Sequence, residues 1–350
     1  WKPESVAVLV SEFPPFRPHR LLKSAHLQTV LGATFKGNCP ADNATRRIVD
    51  LHDGDRLVVH DDQPEVWALG DRIAILIHGL CGSHRSPGVS RVAAKLNQQG
   101  VRTIRVDMRG AGASSGVSRS HLHGGNYWDA NAVVDAVHQL SPNSKISLVG
   151  FSLGGNIVLK TIGIWGAKPH AQIDAAFVVS PPIDLVHCSW HLRQHGNRLY
   201  ESYFVKQLQN QLQRRRKRVP NLVESNMTRF PTRLVHWDDQ FTAPCWGYRS
   251  AIEYYRDASS APNLMDVQVP TLLVTAMDDP VVPFEMYADH QMSNAIKIAA
   301  TEHGGHLGFF GRRGEDPDRH WLDWRICEWI QSLESSKSES TSSGMMEFCE

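Results

Sequence analysis

Short runs of consecutive apolar, mostly β-branched residues recur along this chain, separated by segments of helical length. This alternation restricts the fold more than any other feature. Ile73-Ala74-Ile75-Leu76-Ile77 is one such run and ends at His78-Gly79. Others cover residues 101–106, 146–149, 175–179, 271–275 and 295–299. Between them, residues 89–99, 129–140 and 156–164 read as helices, and in the second Ala132, Val133, Ala136, Val137 and Leu140 share one side. A strand that is apolar on both faces has to be covered on both. The pattern therefore predicts an α/β fold with a mostly parallel sheet and helices on either side.

The rhythm stops at Pro181-Pro182. Residues 183–264 carry no strong strand signal, only helical stretches and the basic run Arg214-Arg215-Arg216-Lys217-Arg218. They are expected to form a helical cap or lid inserted into one core made of residues 51–182 and 265–334. The closing Trp-rich helix is placed at about residues 318–333. Residues 1–50 are expected to be an N-terminal extension packed on the core. Residues 335–350, serine-rich, charged and without periodicity, are expected to be a disordered tail.

Global composition excludes several function classes. With 350 residues, 41% of them hydrophobic, the chain can bury a full core. Lys and Arg number 37 against 36 Asp and Glu, so nothing in the overall charge calls for a nucleic-acid partner. No run approaches the roughly 18 apolar residues of a membrane-spanning helix. The chain begins at Trp1, and a signal peptide or anchor is not legible in it. Cys39, Cys81, Cys188, Cys245, Cys327 and Cys349 are scattered without a CxxC pair. That fits neither a zinc site nor a disulfide framework, and favours a reduced, cytoplasmic setting.

The strongest chemical signal is Gly150-Phe151-Ser152-Leu153-Gly154-Gly155, set between the run at 146–149 and the helix at 156–164. In G-x-S-x-G a sharp strand-to-helix turn exposes the serine, the flanking glycines leave room for neighbouring chain, and the helix N-terminus points N–H groups at the reacting centre. A serine hydroxyl needs a base, and the base needs an orienting acid. After the strand at 271–275 comes Ala276-Met277-Asp278-Asp279-Pro280-Val281-Val282-Pro283, and after the next strand Glu302-His303-Gly304-Gly305-His306-Leu307-Gly308. Asp279 is preferred as the acid over Asp278, and His306 as the base over His303. His78-Gly79-Leu80-Cys81-Gly82-Ser83 follows the first buried strand. It is expected to supply one oxyanion-holding N–H from Leu80, with the other from Leu153. His78 is assigned a supporting role in that loop, and Cys81 is read as a packed residue beside the pocket.

With these residues in view, the chain resembles the α/β-hydrolase superfamily. Its YheT-like branch of esterases and lipases is the closer match, over about residues 15–333. HGLCGS, DMRGAGASSG, GFSLGGN and the D-D-P…H pair carry the general likeness. Leu27-Gln28 in SAHLQTVLG, Asp238-Asp239 before FTAPCWGYRSAIEYYRDASS, and the histidine loop through Phe309 carry the branch likeness. The likeness implies Ser152, Asp279 and His306 as nucleophile, acid and base. It also implies hydrolysis of carboxylic esters, either short-chain esters or lipids such as monoacylglycerols and phospholipids. A small-molecule or lipid ester is then the partner. No cofactor or metal is called for, since HExxH, paired CxxC and P-loop motifs are absent. The basic run reads as a solvated face, with contact to an anionic lipid surface as the lesser reading. An alcohol acyltransferase with the same three residues, and a non-catalytic binding protein of this fold, are the rival readings.

Overall fold

A computed structural model describes residues 13–37, 43–219 and 230–343. Strands β1 (Thr45–Asp50), β2 (Arg56–Asp62), β3 (Ile73–Ile77), β4 (Arg102–Asp107), β5 (Ile146–Phe151), β6 (Ile173–Val179), β7 (Thr271–Ala276) and β8 (Ile296–Thr301) form one sheet. Their order is β1-β2-β4-β3-β5-β6-β7-β8. β4, β3, β5, β6, β7 and β8 run parallel, while β1 and β2 are antiparallel additions at one edge.

The sheet separates two apolar layers, and the central strand shows how. Ile73, Ile75 and Ile77 pack with Val133 and Val134 of α3 (Tyr127–Leu140) and with Val158 of α4 (Leu153–Trp165). The alternate residues Ala74 and Leu76 pack with Val92 and Leu96 of α2 (Pro87–Gln98) and with Leu322 and Ile326 of the last helix (Trp321–Ser343). Side chains of a strand alternate between faces, so an unbroken apolar run serves both layers at once. The strand order reverses at β3, which has β4 on one side and β5 on the other. Loops leaving the carboxyl ends of β3 and β5 diverge there and open a crevice, the usual ligand position in open α/β sheets.

Two boundaries differ from the sequence expectation. Residues 45–50 belong to the sheet as β1, not to a separate extension. Among their side chains only Val49 is buried, and the Thr-Arg-Arg opening is exposed. A charged edge strand resists pairing with other chains but gives no apolar alternation to read. The last helix runs through Ser343 rather than ending near residue 333, so the segment expected to start a disordered tail continues its backbone; residues 344–350 lie outside the described residues. Residues 1–12 and 38–42 of the expected extension lie outside them too.

The β1–β2 hairpin is tied down by charge. The fully buried Arg109 guanidinium donates to Asp129 of α3 at 2.6 Å and, through its other nitrogen, to Asp53 at 2.6 Å and Asp55 at 3.1 Å in the hairpin turn. Burying an arginine is tolerable because every face of the fork meets a carboxylate. At the end of β4, Asp107 accepts from the rings of His60 and His84 and from the backbone N–H groups of His84 and Ala113. Those bonds pull its carboxyl far below the usual carboxylate range despite its burial.

Between β6 and β7 the described chain is helical: α5 (Leu185–Leu192), α6 (Arg198–Arg216), α7 (Leu234–Trp237), a wide turn Asp238–Thr242, α8 (Ala243–Cys245) and α9 (Ala251–Ala258). Among the described residues no helix is long and apolar enough to cross a membrane. The basic run is not a uniformly solvated face. Arg215 is buried and reaches inward to His121 at 2.7 Å and to the carbonyls of Ser118 and Arg119. Arg216 lies over the Phe230 ring.

Candidate active site

The turn after β5 holds Ser152 at φ 51°, ψ −120°, a backbone conformation that L-residues rarely adopt. Its N–H still bonds the Val179 carbonyl of β6, so the turn is pinned to the sheet while it bends. The glycines are required by space. A Cβ on Gly154 would stand 2.3 Å from the Ile77 carbonyl oxygen, and one on Gly150 would stand 2.6 Å from the Gly154 oxygen. Such strain persists only where the surroundings over-determine it, and it concentrates at functional sites.

Three side chains meet here from three strand ends. Ser152 Oγ lies 2.9 Å from His306 Nε2, and His306 Nδ1 lies 2.9 Å from Asp279 Oδ2. A carboxylate only accepts, so Nδ1 carries the proton, and Nε2 is left to accept from the serine hydroxyl. The other Asp279 oxygen receives the N–H groups of Val281 and Val282 at 2.8 and 3.0 Å. All three residues are buried, with Ser152 at 9%, His306 at 7% and Asp279 at 5% exposure. Hydrogen bonds in such a setting are stronger than in water.

The neighbouring acid and histidine form a different pair. Asp278 accepts from the Gly305 N–H at 2.8 Å and faces His303 Nδ1 at 3.3 Å, in a half-exposed position outside the line to Ser152. It fastens the histidine loop from outside. His78 takes the supporting place expected of it. Met108 N–H donates to its Nε2 at 3.3 Å and its Nδ1 lies 2.7 Å from the Gly79 carbonyl, an arrangement of the neutral ring, and burial lowers its pKa.

Residues 75–312 match the family model described as alpha/beta hydrolase fold. The chain belongs to the α/β-hydrolase family. Over 326 residues the hydrolase is 28% identical to the YheT protein of Escherichia coli strain K12, named as an esterase, covering 92% of this chain and 95% of that one. It is 26% identical to a monoacylglycerol lipase of Saccharomyces cerevisiae, covering 73% of this chain and 58% of the yeast protein. Among solved structures, Est1E of Butyrivibrio proteoclasticus with bound ferulic acid superposes with a TM-score of 0.56 at 20% identity, covering 83% of this chain and 99% of that one. That last likeness concerns the fold.

Ser152 and His306 open into a cavity of about 660 Å³. Its floor includes Gly79, Leu80 and Cys81, and its roof combines α1 (Ala25–Thr34) with Leu199, Tyr200 and Tyr203 of α6. His26 of α1 and the Tyr200 hydroxyl of α6 approach to 2.7 Å across that roof. Leu80 and Leu153 are the residues expected to supply the oxyanion donors. Leu80 lines the cavity next to Ser152, and Leu153, as the first residue of α4, has an N–H with no intrahelical acceptor.

Thr29 is the site residue that the sequence reading missed. Its hydroxyl oxygen accepts the His306 N–H at 2.8 Å while its own hydrogen goes to the Ala25 carbonyl. One residue earlier, Gln28 donates to the carbonyls of Leu22 and Phe310 and accepts the Phe310 N–H at 2.7 Å. α1 thus holds both sides of the histidine loop. Backbones touch closely there: a Cβ on Gly308 would meet the Gln28 oxygen at 2.4 Å, and one on Gly305 the Ala25 oxygen at 2.3 Å. Leu27-Gln28 stood out as a motif, but a buried polar residue far from the serine in sequence gives no sign of its partner. Away from the cavity, His60, His84 and Asp107 place three donor atoms within 4.8 Å of one another, the one such group among the described residues able to hold a cation. Both rings are bonded to the same Asp107 oxygen.

Proposed function

We propose that this α/β-hydrolase is a serine hydrolase that cleaves carboxylic esters through an acyl-enzyme on Ser152. The observation that carries the reading is the continuous line Ser152 Oγ, His306 Nε2, His306 Nδ1, Asp279 Oδ2, with both contacts at 2.9 Å. The serine sits at a strained turn beside the main cavity, and the names of the bacterial and yeast relatives point to the same class of substrate.

In the first half-reaction His306 Nε2 takes the hydroxyl proton as Ser152 Oγ bonds to the ester carbonyl carbon. The carbonyl oxygen becomes an oxyanion facing the N–H groups of Leu80 and Leu153. Preorganised donors of this kind are worth about 10²–10³ in turnover each. The intermediate collapses as the C–O bond to the alcohol breaks, and Nε2 returns its proton to that leaving oxygen. Water then attacks the acyl carbon by the same route and releases the acid and free Ser152. Asp279 fixes the imidazole tautomer and offsets its charge while it holds the second proton.

The cavity of about 660 Å³ is lined mostly by apolar side chains, which suits the acyl portion of a lipid ester. The test is Ser152→Ala against p-nitrophenyl esters of increasing chain length. Loss of at least 10³-fold in turnover is expected across the series. Turnover near the wild-type rate would sink the assignment.

A further inference from the structure

Helix α1 buries two of its residues, and both are polar. They are Gln28 and Thr29, while Leu27 and Val30 of the same helix stay half-exposed. A helix that serves only to cover a core turns its apolar side chains inward. The inward face of α1 is instead Ala25, Gln28, Thr29 and Gly32, spaced i, i+3, i+4, i+7 as one stripe. Every member of that stripe meets the histidine loop. The Ala25 oxygen lies against Gly305 and Gln28 against Gly308, and a Cβ on Gly32 would stand 2.5 Å from the Leu307 oxygen. Thr29 holds His306 itself, through the N–H it accepts at 2.8 Å.

The loop needs such a hold. Gly305, Leu307 and Phe309 have φ of 57°, 62° and 45°, so His306 stands between two residues in the left-handed region. Leucine and phenylalanine persist there only where their surroundings over-determine the backbone. The His306 ring is placed by Asp279 and Ser152, each at 2.9 Å, and its backbone by Thr29.

On its other side α1 meets the cavity roof. His26 Nδ1 lies 2.7 Å from the Tyr200 hydroxyl of α6, and the two rings stack with centroids 5.8 Å apart. The same hydroxyl shares a hydrogen bond with the Thr29 side chain. One assignment of protons satisfies the whole group. His26 Nδ1–H donates to the Tyr200 oxygen, Tyr200 O–H and His306 N–H donate to Thr29 Oγ1, and Thr29 O–H donates to the Ala25 carbonyl.

We propose that Thr29 is a positioning residue for His306 and that Tyr200 acts through it, so that the seating of α6 over the cavity sets where the base stands against Ser152. The proposal rests on the Ser152–His306 reading of the site and deepens it. Without the Thr29 hydroxyl, the buried His306 N–H has lost its acceptor and the strained loop its inner anchor. A shift of about 1 Å in a reacting group can cost about 10²-fold in rate.

Thr29→Val keeps the shape of the side chain and removes the hydroxyl, Thr29→Ser keeps the hydroxyl, and Tyr200→Phe cuts the tie to α6. Rates on p-nitrophenyl butyrate are divided by active sites titrated with a fluorophosphonate, so that unfolded protein does not register. In Thr29→Val kcat is expected to fall about 10- to 100-fold while KM stays within about twofold. Thr29→Ser should recover most of that loss. Tyr200→Phe should lower kcat about three- to tenfold in the wild type but less than about twofold on top of Thr29→Val, because the hydroxyl it acts through is already gone. If Thr29→Val does not fold, Thr29→Ala, with the better helix former, takes its place. A hydroxyl-free variant with kcat within about twofold of wild type would overturn the proposal. So would a loss confined to KM, or a Thr29→Ser enzyme as slow as Thr29→Val. Additive losses in the double variant would overturn the part given to Tyr200. Failure of the underlying reading looks different, because Ser152→Ala would then turn the ester over near the wild-type rate.

Discussion

Replacing Asp279 by asparagine is nearly isosteric, yet it should disable the site by changing which ring nitrogen of His306 carries the proton. Asp279 Oδ1 receives two backbone donors, Val281 N–H at 2.8 Å and Val282 N–H at 3.0 Å. An asparagine would keep its carbonyl oxygen toward those donors and turn its NH₂ group to His306 Nδ1. That nitrogen would then have to accept, the proton would move to Nε2, and Nε2 could no longer take the Ser152 proton. The lost charge adds to the effect. A carboxylate 2.9 Å from the ring nitrogen interacts with an imidazolium by about 6 kcal/mol at an effective dielectric of roughly 20. Since each 1.36 kcal/mol is a factor of ten, turnover should fall by about 10³–10⁴. The control is Asp278→Asn, whose carbonyl can still accept the Gly305 N–H now held at 2.8 Å. It should cost less than about tenfold. Initial rates on p-nitrophenyl butyrate, at matched circular dichroism, check both. Equal losses in the two variants, or an Asp279→Asn enzyme within tenfold of wild type, would refute the reasoning.

Two further perturbations test the surroundings of the site. Gly154→Ala should abolish soluble, active protein, because its Cβ would lie 2.3 Å from the Ile77 oxygen, whereas Gly116→Ala, with nothing within 4 Å, should behave as wild type in expression and thermal melts. The Asp238 carboxyl, raised by burial to about 6, binds its proton more tightly in the folded state than in the unfolded chain. Its contribution to stability is present below about pH 4 and is lost as pH rises through about 6. Asp238→Asn should therefore gain on wild type by on the order of 3 kcal/mol between pH 4 and pH 7 in urea titrations, and a pH-independent difference would contradict the assignment.

The central parallel strands and the serine turn were legible because their physics is local. An apolar run buried on both faces, or a serine between glycines at a strand end, announces itself within ten residues. Which acid pairs with which histidine could be placed only in three dimensions, where Asp279 lies against His306 and Asp278 against His303. The hairpin of β1 and β2 escaped notice because β1 lies at the sheet edge and exposes nearly all its side chains. Thr29 escaped it because its bond to the His306 backbone spans almost the whole chain. The inward turn of Arg215 was hidden for a similar reason. A run of cations looks solvated until the carbonyls of Ser118 and Arg119 are brought beneath it.

Ser152 is the proposed nucleophile, and covalent trapping tests that role most directly. The protein is treated with a fluorophosphonate, its intact mass is measured, and the modified peptide is sequenced by tandem mass spectrometry. One adduct per chain is expected, on Ser152, forming in step with loss of esterase activity and absent from Ser152→Ala. An adduct on another residue, or full inactivation with Ser152 unmodified, would contradict it.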